Sequence, residues 1–473
     1  MYPYTLIEMN SIDLAFTPAL KQAQLISQRQ ISPLELVEIY LERIQRLNPQ
    51  LGSYFTVCGE QAIADAKIKT EQLVKDSFEL PPFFGVPISI KDLNPVLNIP
   101  CTYGTPALLN NIPNYEDIII TKIRHAGFTI LGKTATSELG SFPYTEPTCF
   151  PPSRNPWNLE YTSGGSSGGA AAAVAAGLSP IAQGSDGGGS IRGPVACCGV
   201  VGIKPSRGRV SCAPAGDRFS GIATNGSIGR TVADAASLLD IMSGSVIGDS
   251  HWLPKPEVSF LEHSRQHSEK LRIAYATKIH PIGNADSICQ EAVAKTVKLL
   301  AEMGHEIEEK IPDITALIEP FQIVWQSGLA ASGIPIEALQ PLNRWLISKK
   351  HTASDYVIAV SQIQIFTRKI LTYYADFDVL VLPVYLHPPI RVGEWSHLSP
   401  EDTFQNIIQW IAPCPLINAT GQPAIALPVG FDYQGLPMGV QLIGKPADEA
   451  TIIKLAAQLE AANPWIGQRP NLN

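Results

Sequence analysis

The feature that most constrains the fold is a glycine-rich stretch in the middle of the chain, from Ser163 to Pro205. It holds two clusters of glycine and serine, GGSSGG at 164–169 and GSDGGGS at 184–190. Because glycine has no Cβ, such clusters allow backbone conformations and close approaches that other residues forbid. A flexible linker has a similar composition. However, Ala170–Ala176 favours a helix and Ile191–Val201 is apolar, so we expect the stretch to lie inside a folded core.

Serines among these glycines suit nucleophilic chemistry. Their hydroxyls and the neighbouring backbone N–H groups can point at one place, as acyl transfer through an oxyanion hole requires. Ser190 follows Gly187, Gly188 and Gly189, and the N–H groups of all four residues can converge on an oxyanion. No histidine occurs in this stretch, so a local Ser–His–Asp arrangement is not indicated.

The same stretch resembles the signature of the amidase signature family. GGSSGG is followed by GSDGGGSIR and then by CGVVGIKP, in the order and spacing of that family. Upstream, GVPISIKD at 85–92 is similar to its catalytic-lysine strand, and NATGQPA at 418–424 and GLPMGVQ at 435–441 are similar to its C-terminal landmarks. The resemblance covers the chain from about residue 20 to 470.

The resemblance implies a Ser–Ser–Lys site for amide hydrolysis. By motif, Ser190 is the nucleophile, Ser166 is a relay serine that follows a cis peptide bond from Gly165, and Lys91 is the base. Burial at the end of an apolar strand is expected to lower the pKa of Lys91, as a neutral base requires. The alternative from the residues alone is that Lys91 stays charged in a structural ion pair with Asp92 or another acid.

Further residues are expected to support these three. A second set of side chains should hold the catalytic loop in place: Ser167, Ser185, Asp186 and Arg192. An ion pair between the last two would make the loop rigid, although a purely structural role is equally compatible with the sequence. Three basic residues that follow the signature, Lys204, Arg207 and Arg209, are interpreted as a solvated face.

The segment before GGSSGG is expected to contact the substrate, because in the family it approaches the nucleophile. The predicted substrate-binding residues are Gly140, Ser141, Phe142, Tyr144 and Phe150. Their aromatic rings predict an apolar or aromatic amide as substrate. Trp325 can add to the same wall, although a plain core position is more typical of such a residue.

Strands and helices alternate along the chain, which predicts a sheet covered by helices on two sides. The predicted strands are Pro87–Ile90, Phe128–Leu131, Leu271–Ala276, Asp376–Pro383, Ala424–Val429 and Gly439–Ile443, the last two as a hairpin. The resemblance implies one α/β domain over 1–473 with a large mixed sheet. From the apolar strands we expect that sheet to be mostly parallel.

Within this domain, four parts are expected. They are an N-terminal helix at about 32–47, a catalytic core at about 80–245, a variable surface region at about 245–270, and a C-terminal part at about 271–470 that completes the sheet and the pocket.

Composition limits the other partners. The net charge of −8 gives no indication of binding to nucleic acid or to an anionic membrane. We find no secretory signal at the N-terminus and no apolar run long enough for a membrane span. The eight cysteines are scattered, as is typical of reduced thiols in an intracellular protein. We therefore expect a cytoplasmic monomer or homodimer that acts on a small-molecule amide.

Two patterns suggest cofactors that the rest of the sequence does not support. Residues 127–134 match the phosphate-binding pattern GxxxxGK[ST], but the four intervening residues form an apolar strand and not a loop. His263 and His267 have the spacing of helical metal ligands, but no HExxH pattern accompanies them, and a solvated surface helix is expected. We predict no metal, nucleotide or organic cofactor.

Four functions remain distinct hypotheses. The leading one is an amidase that acts alone. The second is the A subunit of a glutamyl-tRNA amidotransferase, which releases ammonia from glutamine; its usual GRVSxxGxxA segment is replaced here by GRVSCAPAGD at 208–217. The third is a nucleotide-binding module, and the fourth is an inactive scaffold, which the intact Ser–Ser–Lys positions disfavour.

Overall fold

A computed structural model describes residues 10–75, 79–217 and 219–472. The first nine residues, where no secretory signal was found, lie outside the described residues. Eleven of the described strands form one sheet, in the order β1-β3-β2-β6-β8-β7-β14-β15-β13-β9-β12. The strands are β1 (Tyr54–Val57), β2 (Pro87–Lys91), β3 (Thr129–Thr134), β4 (Arg154–Asn155), β5 (Asn158–Thr162), β6 (Ile181–Asp186), β7 (Val201–Lys204), β8 (Thr224–Gly229), β9 (Arg272–Tyr275), β10 (Lys278–Ile279), β11 (Gly283–Asn284), β12 (Glu306–Glu309), β13 (Val379–Pro383), β14 (Ala424–Phe431) and β15 (Pro437–Gly444).

The sheet is mixed, as expected, but the expectation that it is mostly parallel is wrong. Parallel pairs occur only near its two ends, where β2 pairs with β3 and β6, and β9 pairs with β12 and β13. The other six pairings within the sheet are antiparallel. A short turn is enough to join antiparallel neighbours such as the predicted hairpin β14–β15, whereas parallel neighbours need a longer crossover. The central strands β6, β8 and β7 are almost entirely buried.

Helices cover both faces of the sheet. They are α1 (Ser11–Ala15), α2 (Ala19–Ser27), α3 (Pro33–Leu51), α4 (Gly59–Val74), α5 (Ile118–His125), α6 (Gly168–Ala175), α7 (Arg192–Cys198), α8 (Val232–Met242), α9 (Phe260–His263), α10 (Ser287–Glu302), α11 (Thr315–Ala330), α12 (Pro341–Ser348), α13 (Ala353–Tyr373), α14 (Pro400–Ile411), α15 (Pro413–Thr420) and α16 (Glu449–Ala462). Successive strand residues point to opposite faces. On β14, Ile425 and Leu427 pack with α8, α10 and α16, while Ala424 and Ala426 pack with α7 and α15.

Helix α3 begins where predicted and ends later than expected. Ser32 Oγ accepts from the Glu35 N–H at 3.2 Å, and the Glu35 carboxylate accepts from the Ser32 N–H at 2.8 Å, which forms a capping box. The helix then continues through Pro49 to the buried Leu51. Gly52, with φ of 59°, provides the left-handed residue that ends it.

The region at 245–270 is mostly exposed but is anchored by a short helix, α9. The N–H groups of Phe260 and Leu261 donate to the Asp240 carboxylate on α8 at 2.7 and 2.9 Å. This helix ends at His263. His263 and His267 therefore do not share the surface helix that their spacing predicted.

The GKT residues at 132–134 lie inside β3 and not in a turn. Lys133 Nζ forms an ion pair with Asp92 Oδ1 at 2.9 Å, and both side chains are fully buried. A phosphate-binding loop needs backbone N–H groups that wrap the ligand, and these N–H groups belong to a strand. The geometry of this segment therefore contradicts the nucleotide-binding hypothesis. None of the described helices combines the length and apolar character needed to cross a membrane.

Candidate active site

Lys91 is held by the sheet against two serines. It is the last residue of β2 and is fully buried, and its backbone N–H donates to Gln183 Oε1 on β6 at 3.1 Å. Lys91 Nζ donates to Ser166 Oγ at 2.8 Å, to Ser185 Oγ at 3.1 Å and to the Ser185 carbonyl at 3.2 Å. The proposed base and relay are thus in direct contact.

The next residue, Asp92, serves a different partner. Its carboxylate forms the buried ion pair with Lys133 and also accepts the backbone N–H of Thr102 at 2.9 Å. The structural ion pair considered for this strand end is therefore made by Lys133, while Lys91 contacts the serines.

Ser166 follows a cis peptide bond from Gly165, as the resemblance implies. A Cβ atom at Gly165 would lie 2.5 Å from Tyr144 N and 2.7 Å from Phe142 O, so only glycine fits against this backbone. The close packing positions Ser166, which is 1% exposed, at the start of the segment that leads into α6.

Asp186 organises the loop that carries Ser190. Its carboxylate accepts the N–H of Gly189 at 2.8 Å and of Ile191 at 3.1 Å. Because the N–H of Gly189 is engaged in this way, Gly189 does not fit its predicted role as an oxyanion donor. The N–H groups of Gly187, Gly188 and Ser190 donate to no acceptor within the described residues. Of the four N–H groups expected to bind the oxyanion, these three therefore remain candidates.

Arg192 holds Asp186 from the other side. The two side chains form a fully buried ion pair at 2.9 Å, with a second contact from Arg192 Nε at 3.0 Å. Arg192 also donates to Gln441 Oε1 at 2.8 Å and to Asn418 Oδ1 at 2.6 Å. Although burial disfavours a charged carboxylate, the guanidinium holds the pKa of Asp186 below its ordinary value. The residues predicted to stiffen the loop are therefore brought together around it.

Ser167 and Ser185 join the two glycine clusters. Ser167 donates its N–H to the Ser190 carbonyl at 3.1 Å and its hydroxyl to the Ser185 carbonyl at 3.2 Å. Ser185 was predicted only to support the loop. Because it also contacts Lys91, it lies directly beside the proposed base.

Ser166, Ser185 and Ser190 line one small cavity of about 60 Å³, together with Gly140 and Gly187. We call it the catalytic cavity. Its remaining walls come from distant parts of the chain: Leu93, Leu139, Cys212, Phe219, Ala223, Thr224, Asn225 and Trp325. Of the predicted substrate-binding residues, this cavity contains only Gly140.

The other predicted substrate-binding residues lie elsewhere. Phe142 and Tyr144 line a separate cavity. Phe150 stacks on Phe55 at a centroid distance of 4.0 Å and does not line the catalytic cavity. Ser141 lines an apolar cavity that borders the catalytic one, and its hydroxyl donates to Asn343 Oδ1 at 2.8 Å. The backbone of Phe142 and Tyr144 packs against Gly165, and none of the three rings is among the residues that line the catalytic cavity.

The apolar cavity, of about 90 Å³, borders the catalytic cavity at Trp325 and near Gly188. Trp325 stacks on Phe219 at 4.7 Å and on Phe321 at 6.0 Å. Most of the remaining lining is aliphatic or aromatic: Ile314, Leu317, Ile318, Phe404, Ile407, Ile408, Ile411, Ala412 and Pro415.

Sequence reasoning missed most of these walls. Leu93 follows the catalytic-lysine strand and Leu139 precedes Gly140, so proximity to the motifs could have identified both. Phe219 belongs to no motif and was missed. Trp325, for which a place in the substrate wall and a plain core position were both considered, lines the catalytic cavity.

The three basic residues after the signature are not a solvated face. Lys204 and Arg209 are 1% and 5% exposed, and Arg209 forms an ion pair with Glu449 at 3.0 Å. Arg207 donates to the carbonyl groups of Gly221, Asn418 and Ala419. Arg207 and Arg209 therefore fix chain segments to one another, whereas Lys204 Nζ donates to the carbonyl of the adjacent Pro205 at 2.7 Å.

Known proteins are similar to this chain over most of its length. A family model described as Amidase matches residues 35–453. The chain is 53% identical over 450 residues to a protein of Synechocystis sp. named "Putative amidase", covering 95% of this chain and 89% of the relative. It is 33% identical to an acylamidase of Rhodococcus erythropolis, over 98% of each chain.

Among solved structures, one of 6-aminohexanoate cyclic dimer hydrolase complexed with substrate superposes with a TM-score of 0.89 at 29% identity. The match covers 97% of this chain and 99% of that one. The similarity therefore includes the whole sheet and both of its covered faces.

Proposed function

The chain belongs to the amidase family, and on that premise we propose that it hydrolyses carboxylic amides to a carboxylate and ammonia or an amine through an acyl-enzyme on Ser190. One observation carries this proposal. Lys91 Nζ lies 2.8 Å from Ser166 Oγ, and Ser166 shares the catalytic cavity with Ser190.

An amide is a poor electrophile, so the serine must lose its proton as it attacks. In the proposed first step, Ser190 Oγ bonds to the carbonyl carbon and its proton passes through Ser166 to Lys91, which must be neutral to accept it. The same proton then returns through Ser166 to the nitrogen, and the C–N bond breaks. Water then attacks the acyl-enzyme; its proton passes through Ser166 to Lys91 and returns to Ser190 as the acid is released.

The oxygen of the tetrahedral intermediate needs hydrogen-bond donors that are already in place. The N–H groups of Gly187, Gly188 and Ser190 are proposed for this role. Asp186 supports it indirectly, because its bonds to Gly189 and Ile191 set the path of the backbone on both sides of Ser190.

We infer that the preferred substrates carry an apolar or aromatic group. The sequence-based prediction of such substrates rested on the aromatic rings of the segment before GGSSGG. The support here comes instead from Trp325, Phe219 and the adjoining apolar cavity. Burial of one such group contributes about 1.5–3 kcal/mol.

The glutamine-dependent alternative finds less support at this site. Free glutamine carries an α-ammonium and an α-carboxylate, which need charged or strongly polar partners when buried. Among the described residues that line the catalytic cavity, none is Asp, Glu, Lys or Arg. An amidase that acts without a partner subunit therefore remains our proposal.

The test is labelling of the full-length protein with a fluorophosphonate, followed by turnover of hexanamide, benzamide, acetamide and glutamine. We expect label on Ser190, no label or turnover in Ser190→Ala, and unchanged behaviour in Ser348→Ala, an exposed serine. Label on Ser166 or Ser167, or glutamine as the best substrate, would contradict the proposal.

A further inference from the structure

One wall of the catalytic cavity has an uncommon backbone conformation. Its two consecutive residues Leu139 and Gly140 are both left-handed, with φ of 54° and 70°. A residue with a branched, bulky side chain such as leucine rarely adopts this conformation, and it persists only where the surrounding structure imposes it. We call residues 138–141 the 138–141 turn. Its shape is therefore held by contacts with other parts of the chain.

The 138–141 turn lies beside the proposed relay serine. A Cβ atom added at Gly140 would lie 3.4 Å from Ser166 Oγ and 2.6 Å from Leu93 Cδ1. Both Leu139 and Gly140 line the catalytic cavity, whose volume of about 60 Å³ leaves little room around the reacting groups. A displacement of this turn would therefore change the width of the cavity next to Ser166.

Helix α12, which is distant in sequence, holds the turn through two buried side chains. Glu138 Oε2 accepts the backbone N–H of Gln340, at the start of α12, and the side-chain Nδ2–H of Asn343, both at 2.8 Å. Asn343 Oδ1 in turn accepts the Ser141 hydroxyl at 2.8 Å. Asn343 thus contacts both ends of the turn. We call Glu138 and Asn343, both fully buried, the α12 clamp.

Glu138 depends on this helix because it has no cation of its own. Acids are seldom fully buried without a partner, and none of the ion pairs among the described residues includes Glu138. Burial raises the pKa of Glu138, while the hydrogen bonds from Gln340 and Asn343 favour the carboxylate. The position of the Glu138 side chain is therefore tied to α12.

The turn also has an apolar connection to the same helix. Leu139 packs against a buried cluster that includes Leu342 and Leu346 of α12. Apolar contacts have no direction, so they stabilise the packing without fixing the backbone of the turn. The directed hydrogen bonds of the α12 clamp therefore determine how closely the turn approaches Ser166.

We propose that Glu138 and Asn343 are positioning residues that hold the 138–141 turn against the catalytic cavity and so restrict the substrates to amides that are unbranched next to the carbonyl carbon. This inference rests on the proposed function and deepens it, because it names the shape of the substrate at the reacting bond. A straight chain can extend from the catalytic cavity toward the apolar cavity near Gly188. A branch beside the carbonyl needs the width that the turn occupies.

The experiment compares kcat/KM of the full-length protein for butanamide and for its branched isomer 2-methylpropanamide. The two amides contain the same atoms and bury about the same apolar area, so their ratio reports the width of the cavity. In wild type we expect butanamide to be preferred about tenfold or more. Glu138→Ala removes the clamp and should lower this ratio about fivefold or more. Glu138→Gln retains an acceptor for the Gln340 N–H and should keep the wild-type ratio.

The matched control is Glu337→Ala, an exposed carboxylate just before α12, which should leave both rates unchanged. A second variant decides the question if Glu138→Ala does not fold. Leu139→Ala leaves the clamp in place, shortens the side chain of a residue that lines the cavity, and should lower the ratio in the same direction.

Three results would overturn the inference. They are equal rates on the two isomers in wild type, an unchanged ratio in Leu139→Ala, and an equal loss on both isomers in Glu138→Ala, which would mean that Glu138 only stabilises the fold. A different result would contradict the proposed function itself, and this inference with it: no turnover of any amide by wild type, or turnover that survives in Ser190→Ala.

Discussion

The loop that carries Ser190 and the wall formed around Trp325 border the same cavity, yet they are held by different forces. The loop is fixed by a buried ion pair and by hydrogen bonds that the Asp186 carboxylate accepts from the N–H groups of Gly189 and Ile191. The wall is fixed by ring stacking of Trp325 on Phe219 and Phe321.

We expect this difference to separate changes that affect the catalytic rate from changes that affect the choice of substrate. Hydrogen bonds and ion pairs have directions, so loss of one partner displaces the groups that act on the carbonyl and leaves a buried charge. Apolar contacts have no direction and can be replaced by others of similar volume. We therefore expect changes in the loop to affect kcat for every substrate, and changes in the wall to affect kcat/KM for some substrates only.

The largest expected effect is at Lys91. Lys91→Ala should lower kcat by about 10³-fold on every amide, because in the proposed mechanism Lys91 is the group that accepts the serine proton. Lys91→Arg should be equally poor, since a guanidinium keeps its proton near neutral pH. Steady-state kinetics with hexanamide and acetamide would check this, with Lys295→Met as an exposed control. A near-normal rate in Lys91→Arg would exclude the lysine as base.

The next effect is at Asp186. Asp186→Asn leaves Arg192 buried without its counter-ion and should cost about 3–5 kcal/mol of unfolding free energy, measured by urea denaturation. Because the pKa of Asp186 lies below its ordinary value, this stabilisation is present above the unfolded pKa of about 4 and is lost as pH falls toward the folded value. The difference from wild type should be constant between pH 8 and 5 and should shrink in stronger acid.

The matched control for Asp186 is a surface ion pair. Asp378→Asn removes a partly exposed contact with Lys445 and should cost less than about 1 kcal/mol. Equal losses in the two variants would show that the buried pair is not what distinguishes the loop.

The smallest effect is expected at the wall. Trp325→Ala should lower kcat/KM for benzamide and hexanamide by about 10- to 100-fold and leave acetamide nearly unchanged, because only the larger groups reach the ring. Trp325→Phe should retain most of the preference, and Trp252→Ala, at an exposed tryptophan, should have no effect. A uniform loss on all three amides would mean that the wall also positions the loop.

The two regions also differ in how far the sequence predicted them. Ser166 and Ser190 lie in glycine-rich motifs and Lys91 ends the strand of a third motif, so the three were visible in the sequence, although their catalytic roles remain proposals. The Asp186–Arg192 pair was considered for the same reason.

The substrate wall depends on distant contacts. Trp325 reaches the cavity from α11; the sequence suggested it for the wall but could not separate that place from a plain core position. Phe142, Tyr144 and Phe150 were placed at the substrate because they precede the signature in the chain, but their orientation is decided by packing against Gly165 and Phe55. The prediction of a mostly parallel sheet was wrong for a similar reason. A strand covered on both faces has the same apolar composition in parallel and antiparallel sheets, so composition does not give its direction.

The contacts of Arg192 have a consequence for the order in which the chain can become active during synthesis. Asn418 and Gln441 are the last parts of the Asp186–Arg192 cluster to leave the ribosome, and the Asn418 amide donates to both the carbonyl and the carboxylate of Asp186. A nascent chain that ends before them contains all three proposed catalytic residues but lacks the side chains that complete the loop. We therefore expect hydrolysis to begin only after Gln441 has left the ribosome and the cluster has closed.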